Sequence, residues 1–306
     1  MTNGELAFIA LAEELNFTKA AAKIYISQQG LSDHIRRLEQ EFDTVLVNRK
    51  PEVSLTDSGQ ELYNMLLAKQ AMELDIRRVI SDIDHGESGE VRVGITSSRL
   101  RVFGSDIIQR YYEAHPNVHI HVVSDLTAIL LQMLDLGELD LVIGADPLPE
   151  KGIEIEHVFD DPLYLAVPED IAKERIGDAD STDIKVFRDI PFIRDINLSP
   201  SGSTIDRFLA KRNINLHKII ATNDYNEQAA LCSRLGAGMF CSGSFAFSPG
   251  GEVMRKGLKI LRIDGLTHSV SICIITSSER VYPMCVRNFI DVARDSMLYF
   301  SEHKQL

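Results

Sequence analysis

The first 85 residues of the chain place their apolar side chains at helical spacing. Residues 4–14 predict an amphipathic helix with Leu6, Ile9 and Leu11 on its apolar side. Residues 17–39 then predict two short helices that are joined by a tight turn. The small residues of the first short helix allow another helix to cross it closely, so we expect a compact helical cluster at this end of the chain.

The second short helix has one apolar face and one polar face. Thr18 is a candidate N-cap for the first helix of the pair, and Ser27 for the second, which is predicted to end near Gln40. Its inward stripe consists of Leu31, Ile35 and Leu38. Its outer face carries Gln28, Gln29, Ser32, Asp33, Arg36 and Arg37. Amides followed by arginines are typical of a helix that reads a DNA major groove, but a helical hairpin inside a core has the same apolar spacing.

A predicted β-wing and a long helix follow. Residues 46–55 contain Arg49 and Lys50 and suit a short two-stranded wing. Thr56, Asp57 and Ser58 cap a helix that is predicted to run to about residue 84. A 3-4 spacing of mostly apolar residues runs through it at Leu62, Met65, Lys69, Met72, Ile76, Val79 and Ile83. This stripe favours pairing with a partner helix, although a long surface helix on its own domain would show a similar pattern.

Beyond the glycine-containing stretch at residues 85–89 the pattern changes to alternating strands and helices. Strands are predicted at 91–95, 118–123 and 139–144, with helices at 99–115 and 127–136. This βαβαβ order predicts a mostly parallel α/β sheet. A second α/β unit is predicted from strands at 153–159, 163–168, 219–221, 239–241, 258–263 and 270–276 and helices at 203–212, 225–235 and 282–300. Two small lobes behind a hinge predict a ligand cleft between them.

Composition and charge limit the function classes. The 306 residues are 44% apolar and 25% charged, which is typical of a soluble protein of two or three domains. The chain has neither a run of about 18 apolar residues nor a signal-peptide pattern, so we expect no membrane association and a cytoplasmic location. The net charge of −13 argues against nonspecific coating of nucleic acid. Residues 1–58 contain six Lys/Arg and nine Asp/Glu, so DNA binding must depend on local placement of charge.

Enzymatic and redox interpretations receive little support. The sequence contains no glycine-rich phosphate loop, no GxSxG elbow and no HExxH motif, so we expect no enzyme and no cofactor. Cys232, Cys241, Cys273 and Cys285 show no CxxC pairing and no nearby histidine cluster, so we expect no metal site. Buried, reduced thiols are the favoured interpretation, and a Cys232–Cys241 redox sensor is the alternative.

Hydroxyl groups gather where predicted strands run into helices. Thr96, Ser97 and Ser98 follow the strand at 91–95, and Thr127 opens the next helix. Residues 197–203 form a polar stretch at another helix start and contain Ser201, Gly202 and Ser203. Free N–H groups and hydroxyls at helix starts suit a small anion, while each hydroxyl taken alone is explained equally well as an N-cap. Arg99 and Arg194 either add positive charge to this site or are solvated.

The pattern as a whole resembles that of LysR-type transcriptional regulators. The residues that match the family's N-terminal motif are Phe17, Thr18, Ala20, Ala21, Ser27, Gln28, Leu31, Ser32, Ile35, Leu38, Glu39, Leu46, Arg49, Leu55, Thr56 and Gly59. Looser similarity continues at residues 111–118, 136–144, 164–168 and 235–239. The chain departs from the family pattern at Asp33, at Asp43 where a glycine is usual, and at Val47 where a phenylalanine is usual.

The resemblance implies a fold and a set of partners. It implies a winged helix-turn-helix (residues 1–58), a linker helix that dimerises, with a hinge (59–88), and an effector domain like periplasmic binding proteins (89–306). Within that domain we expect lobe 1 at about 89–161 and 269–306 and lobe 2 at about 162–268. The implied partners are double-stranded promoter DNA, a small and anionic effector such as a carboxylate, and further copies of the chain in a homodimer or homotetramer. RNA polymerase is a further candidate partner.

Site residues follow from the outer helix face together with the resemblance. The expected DNA-binding residues are Thr18, Ser27, Gln28, Gln29, Ser32, Asp33, Arg36, Arg49, Lys50 and Thr56. Gln28, Gln29 and Ser32 are expected at base edges, and the basic residues with the two threonines at phosphates. Asp33 is expected to accept from a cytosine amino group or to point away from phosphate. The expected effector-binding residues are Thr96, Ser97, Ser98, Thr127, Ser201, Gly202 and Ser203.

Overall fold

A computed structural model describes residues 1–85, 88–194, 200–222, 224–248 and 256–303. The chain divides into two compact units. The first unit consists of Met1–Gly86 together with the short segments Gln132–Leu139 and Arg280–Pro283. The second unit consists of Glu87–Leu131, Asp140–Glu279 and Met284–Leu306. No helix in the described ranges has both the length and the apolar composition needed to span a membrane.

The first unit is a winged helix-turn-helix followed by a long helix. Its helices are α1 (Asn3–Glu14), α2 (Phe17–Lys23), α3 (Gln28–Glu41) and α4 (Asp57–His85), and its two-stranded antiparallel wing consists of β1 (Val47–Asn48) and β2 (Ser54–Leu55). Phe8, Leu11, Leu31 and Ile35 are completely buried in the core of the helix cluster. The predicted inward stripe of α3 is therefore confirmed, and its opposite face remains outside this core.

Local capping explains where the first three helices begin. Thr2 and Glu5 form a reciprocal capping box at the start of α1. Asn16, and not Thr18, caps α2, because the Asn16 side chain accepts hydrogen bonds from the backbone N–H groups of Thr18 and Lys19. Ser27 caps α3 as predicted and accepts from the Gly30 N–H at 3.0 Å. A side-chain amide oxygen caps a helix as well as a hydroxyl does, so the N-cap of α2 shifted by two residues from the prediction.

Two short segments from later in the chain, Gln132–Leu139 and Arg280–Pro283, contact the middle of α4 within the first unit. Gly137 lies so near Ala71 that an added Cβ would come within 2.0 Å of the Ala71 Cβ, and its φ of +74° is one that glycine adopts without strain. Arg280 donates from Nε and Nη2 to the two carboxylate oxygens of Asp75 at 2.7 and 3.0 Å. Its Nη1 donates to the Leu139 carbonyl at 2.6 Å. Both side chains of this ion pair are buried.

The second unit is a mixed α/β structure. Its strands are β3 (Gly89–Ile95), β4 (Val118–Val123), β5 (Leu141–Ala145), β6 (Ile153–Pro168), β7 (Ser181–Thr182), β8 (Pro191–Arg194), β9 (His217–Ala221), β10 (Met239–Ser242), β11 (Leu258–Ile263) and β12 (Ser269–Ser277). Its helices are α5 (Ser97–Arg99), which continues through a π-helical turn (Leu100–Gly104) into α6 (Ser105–Ala114), α7 (Thr127–Asp135), α8 (Glu169–Ile176), a 3-10 turn (Ile184–Phe187), α9 (Pro200–Lys211), α10 (Tyr225–Leu235), α11 (Gly243–Phe247) and α12 (Met284–His303). The last residues of α7 belong to the first unit.

One sheet runs through both lobes of this unit. Its strand order is β4-β3-β5-β12-β6-β11-β7, with β10 also paired to β6. The β3–β4 and β3–β5 pairs are parallel, as the βαβαβ pattern predicts, but β12 is antiparallel to β5 and β6, and β10 and β11 are antiparallel to β6. The parallel arrangement predicted from the βαβαβ order at residues 91–144 is therefore confirmed, while the later strands, whose direction the sequence did not predict, add antiparallel pairs to the same sheet.

The two strands predicted at 153–159 and 163–168 are a single strand, β6. The first half of β6 pairs with β12, and the second half pairs with β10 and β11. Burial along the strand changes at Asp160 and Pro162, which breaks the apolar pattern although the backbone continues. In lobe 2, β8 and β9 form a separate parallel pair, and a bridge between Phe192 and Gly238 lies beside β10. Of the predicted polar stretch at 197–203, residues 197–199 lie outside the described residues.

Candidate functional site

The outer face of α3 is polar and accessible. Gln28 and Gln29 are exposed in its first turn, and Ser32 is half-buried one turn later. Asp33 accepts from Arg36 Nη1 at 3.3 Å, with both side chains about half exposed. The charge of Asp33 therefore lies beside an opposite charge on the same helix.

Arg49 joins the wing to α3. Its Nη1 donates to Ser32 Oγ at 3.4 Å, and its Nη2 lies 3.7 Å from a carboxylate oxygen of Glu39. The guanidinium also stands over the Phe17 ring at 5.5 Å. These contacts connect α2, α3 and the wing through a single cation. Arg49 nevertheless keeps 44% of its side-chain surface exposed, so it remains accessible to an anion.

Glu39 fixes where the wing begins, and sequence reasoning missed this role. Its Oε1 accepts from the backbone N–H groups of Leu46 and Val47 at 3.0 and 3.3 Å. Thr56 closes the wing from its other end, since its hydroxyl donates to the Val45 carbonyl at 2.8 Å and accepts from the Gly59 N–H at 3.0 Å. The sequence signals this contact only by a glutamate seven residues before Leu46. Turns of many geometries are compatible with that spacing.

The lysines near this surface differ in their surroundings. Lys50 lies in the wing with an exposed side chain, and Thr18 and Lys19 are exposed at the start of α2. Lys23, at the other end of α2, forms ion pairs with Glu13 and Glu14 at 2.9 and 3.2 Å. Hydrogen bonds from those two carboxylates raise the pKa of Lys23. Lys23 is therefore balanced by neighbouring acids in the first unit, and only part of the cationic charge there is available for DNA.

In lobe 1, the predicted hydroxyls differ in their hydrogen bonding. Thr96 precedes α5, but its side chain makes no capping hydrogen bond, and its Oγ1 is buried without a hydrogen-bond partner in the described structure. Ser97 Oγ lies 3.0 Å from Ser124 Oγ, and Ser98 Oγ accepts from Arg99 Nη1 at 3.0 Å. Thr127 is the first residue of α7, as predicted. Simple N-capping therefore does not explain Thr96.

In lobe 2, the predicted residues lie in the first turn of α9 rather than in a loop before it. Ser201 is buried, Gly202 is half-buried and Ser203 is exposed. The sequence placed this helix start at Ser203, three residues later than Pro200, where the structure begins it. Proline is well tolerated in the first turn of a helix, so the SPSGS sequence is compatible with either start.

Both arginines left undecided by the sequence are buried. Arg99 is 9% exposed and Arg194 is 5% exposed, so neither is solvated. Asp161, which is completely buried, accepts from the backbone N–H of Ser244 at 2.7 Å and from its hydroxyl at 2.5 Å. Burial raises the pKa of Asp161, and its hydrogen bonds to Ser244 and the positive charge of Arg99 act in the opposite direction. Electrostatics thus connects Arg99 of lobe 1 with Asp161 on β6.

An ion pair between the lobes was not anticipated. Arg101 Nη2 donates to Asp224 Oδ2 at 2.5 Å. The other carboxylate oxygen of Asp224 caps α10 by accepting from the N–H groups of Asn226 and Glu227. The sequence signals the cap, because an aspartate directly precedes a helix pattern. No local pattern in the sequence predicts that Arg101 and Asp224, which are 123 positions apart, form an ion pair.

The four cysteines are free and buried, as predicted. Burial raises the pKa of Cys232 to about 12, and burial also raises the pKa of Cys273. A thiol with such a pKa is almost entirely protonated at neutral pH and is a poor nucleophile toward oxidants. In the described parts of the chain, no cluster of three or more His, Cys, Asp or Glu side chains is arranged to bind a metal ion.

Comparison with known families matches both parts of the chain. Residues 6–60 match the bacterial regulatory helix-turn-helix protein of the lysR family, and residues 84–298 match the LysR substrate binding domain. Similar curated proteins include a probable RuBisCO transcriptional regulator of Phaeodactylum tricornutum, which is 27% identical over 88% of each chain. AlsR, an HTH-type transcriptional regulator of Bacillus subtilis, is 31% identical over 61% of each chain.

Solved structures share the fold at low sequence identity. CbnR in complex with its target DNA has a TM-score of 0.64 and 19% identity, and the match covers 97% of this chain and 100% of CbnR. ArgP from Mycobacterium tuberculosis has a TM-score of 0.72 and 14% identity, with 96% of each chain covered. These similarities confirm the arrangement of a helix-turn-helix domain and a two-lobed α/β domain in one chain.

Proposed function

This chain belongs to the LysR-type family of transcriptional regulators, and from that premise we propose that α3 and the wing form its promoter-binding surface. The observation that carries the proposal is the contact network of Arg49. This cation joins Ser32 on the outer face of α3 to the wing and yet remains 44% exposed. A rigid arrangement of exposed amides beside an accessible arginine matches what a major groove with flanking phosphates requires.

Each expected DNA-binding residue has a proposed role. Gln28, Gln29 and Ser32 contact base edges from the first turns of α3, where amides can bond bidentately to adenine. Arg36, Arg49, Lys50 and Thr18 contact phosphates. Ser27 holds the start of α3 in place through its N-cap, and Thr56, whose hydroxyl proton is donated to the Val45 carbonyl, holds the wing at the start of α4. Asp33 accepts from a cytosine amino group through the carboxylate oxygen that does not accept from Arg36, because that oxygen accepts no hydrogen bond within the described residues.

The test compares two substitutions in binding to DNA from upstream of the chain's own gene and to a random duplex of equal length. Gln28→Ala should reduce the preference for the upstream DNA by about 1–3 kcal/mol, because it removes base contacts. Lys50→Ala should weaken both duplexes alike and reduce the slope of log K against log salt by about 1, because it removes one phosphate contact. Fluorescence anisotropy at four salt concentrations measures both effects.

Lys23→Ala is the matched control, because it removes the same charge from a lysine that is already paired with Glu13 and Glu14. We expect it to leave both affinities within twofold. If Gln28→Ala and Lys50→Ala change binding to the two duplexes equally, the division into base and phosphate contacts is wrong. If the wild-type protein binds neither duplex at moderate salt, the helix-turn-helix serves only assembly and the proposal fails.

We also propose that the second unit binds a small anionic effector between its lobes. The supporting observation is the buried hydroxyl of Thr96, which has no partner in the described structure, together with the buried Ser201 in the first turn of α9. Ser97, Ser98, Thr127, Gly202 and Ser203 complete the proposed site. A panel of small carboxylates in a thermal-unfolding assay tests this, because a ligand that binds only the folded state raises its stability. No increase in Tm over sodium chloride contradicts it.

Finally, we propose that α4 pairs with α4 of a second copy. Met65, Met72 and Ile76 of the predicted stripe are exposed, by 63%, 44% and 54%, as is the neighbouring Ile80. Apolar side chains in a row along one helix favour burial against a partner. A dimer would present two recognition helices to a two-fold DNA site, in the cytoplasm where promoter DNA is found. Sedimentation equilibrium tests the pairing, and a monomer at micromolar concentration contradicts it.

A further inference from the structure

Arg194 is the last residue of β8 and lies at the carboxyl end of a parallel strand pair. The neighbouring strand β9 runs in the same direction, and the Thr222 N–H donates to the Arg194 carbonyl at 3.0 Å, just beyond the end of β9. Ligands of open α/β structures bind outside the carboxyl ends of the strands. The position of Arg194 is therefore one at which a functional side chain is expected, and its burial needs an explanation.

The guanidinium of Arg194 has only part of its hydrogen-bonding capacity satisfied. Nη2 donates to Asp206 Oδ1 on α9 at 2.9 Å, and the planar group stands over the Phe240 ring at 5.1 Å. Nη1 is buried and has no hydrogen-bond partner in the described structure. A buried charged donor without a partner is costly, and native structures rarely leave one unless something else binds there.

Asp206 does not require Arg194. Its side chain is 42% exposed, and it also accepts from Lys218 Nζ at 3.3 Å. A carboxylate that is exposed and has a lysine beside it needs no buried arginine to neutralise it. The contact between Arg194 and Asp206 instead holds the guanidinium in one orientation, with Nη1 as the remaining donor.

We propose that Arg194 Nη1 binds an anionic group of the effector, a carboxylate or a phosphate, from the lobe 2 side of the cleft; this inference rests on the proposed effector function. A guanidinium suits this role better than an ammonium does, because it is planar and the bond from Nη2 to Asp206 fixes the direction in which Nη1 presents its N–H groups. The helix that holds Arg194 in place also favours an anion. The buried Ser201 lies in its first turn and the buried Thr204 at the start of its second, and the positive end of the helix dipole lies at the first turn.

The chemistry of the unsatisfied groups also excludes other ligand classes. Besides Arg194 Nη1, the hydroxyl oxygen of Thr96 in lobe 1 is buried without a hydrogen-bond partner in the described structure. A cationic ligand would repel Arg194, and an apolar ligand would leave both groups unpaired. A ligand that is rich in acceptors and negatively charged satisfies them, so the site selects an oxyanion.

The experiment is a thermal-unfolding titration of the full-length protein with sodium phosphate, sodium acetate and sodium malonate, each compared with sodium chloride at equal ionic strength. The variant Arg194→Met keeps most of the aliphatic stem and removes the charge. Arg188→Met is the matched control, because Arg188 is an exposed arginine of the same lobe. The variant Arg194→Lys keeps the charge but cannot bond Asp206 and present a second, fixed donor at the position of Nη1.

We expect at least one of the three anions to raise the Tm of the wild-type protein. Arg194→Met should weaken its apparent Kd at least tenfold, Arg194→Lys should weaken it about fivefold, and Arg188→Met should change it less than twofold. Equal affinities for wild type and Arg194→Met overturn the proposal, as does the absence of any shift in the wild type with all three anions. If Arg194→Met does not fold, Arg194→Lys decides: unchanged affinity overturns the proposal and weakened affinity supports it.

The regulator function can fail separately from this inference. DNA binding of the wild-type protein is measured in the absence of the three anions, so it does not depend on Arg194. If the protein binds anions through Arg194 but binds no DNA, the promoter-binding proposal fails and the anion site stands. If the protein binds DNA and the anion affinities of wild type and Arg194→Met are equal, the inference about Arg194 fails and the promoter-binding proposal stands.

Discussion

Removal of either partner of the Asp75–Arg280 ion pair should strongly destabilise the first unit. Asp75 and Arg280 have 2% and 6% of their side-chain surface exposed, and two hydrogen bonds of 2.7 and 3.0 Å join them. When one partner of a buried pair is removed, a buried charge remains, and this costs about 3–5 kcal/mol. The contact connects α4 to a residue 205 positions further along the chain. Its loss should therefore release a long-range restraint on α4.

The two single substitutions should differ in magnitude. Arg280→Met leaves Asp75 with Arg78, whose Nη1 lies 3.6 Å away, so we expect the lower end of that range, about 3 kcal/mol. It also removes the donor to the Leu139 carbonyl. Asp75→Leu leaves a buried guanidinium beside an apolar side chain, so we expect about 4–5 kcal/mol. The double variant replaces both charges by apolar groups, and its cost should fall at least about 2 kcal/mol short of the sum.

Amide hydrogen exchange of the α4 backbone, followed by mass spectrometry, measures these changes as free energies of local opening. This measurement suits a chain with two compact units, for which a single unfolding transition is not assured. Additivity of the two single substitutions to within about 0.5 kcal/mol would refute the reasoning, because it would show that the two charges do not interact. Ser58→Ala, an exposed position in the first turn of the same helix, serves as the control and should leave the opening energies near Asp75 unchanged.

Two further predictions concern titratable groups of the second unit. Burial raises the pKa of Asp161 in the folded protein, so protonation of this carboxyl group stabilises the fold. The stabilisation is present below about pH 4 and is lost as the pH rises through the raised pKa. The Tm of Asp161→Asn should therefore decrease less than the Tm of the wild type between pH 4 and pH 7. An identical pH dependence of the two Tm values contradicts this. Because burial raises the pKa of Cys232 to about 12, mild peroxide should leave four titratable thiols after denaturation, whereas a loss of two indicates a disulfide.

Most elements of the fold could be predicted from local patterns in the sequence. The inward stripe of α3, the wing, the long α4 and helix α10 over residues 225–235 follow from apolar spacing and capping residues, which act over a few positions. The family resemblance rested on the same local motifs, and the comparisons confirm it. Errors arose where two local signals were equally good, as with Asn16 and Thr18 at the start of α2.

Strand direction could not be predicted in the same way. Each strand of the second unit has a local signature, but the antiparallel return of β12 between β5 and β6 depends on where the chain re-enters the sheet. The break in apolar pattern at Asp160 and Pro162 suggested two strands, although β6 continues through it. Pairing between distant segments is determined by the burial of whole faces, and no short window of sequence contains that information.

The sequence by itself determined which hydroxyls, amides and arginines were available for binding, because residue type fixes donor and acceptor chemistry. Only the tertiary structure decided how each was used. Arg49 and Arg194 look alike in the sequence, yet one is 44% exposed beside Ser32 and Glu39, and the other is buried with one donor unsatisfied. Their difference arises from segments that pack against them from elsewhere in the chain. Burial and partners set the energy of a charged group, and both are properties of the folded protein.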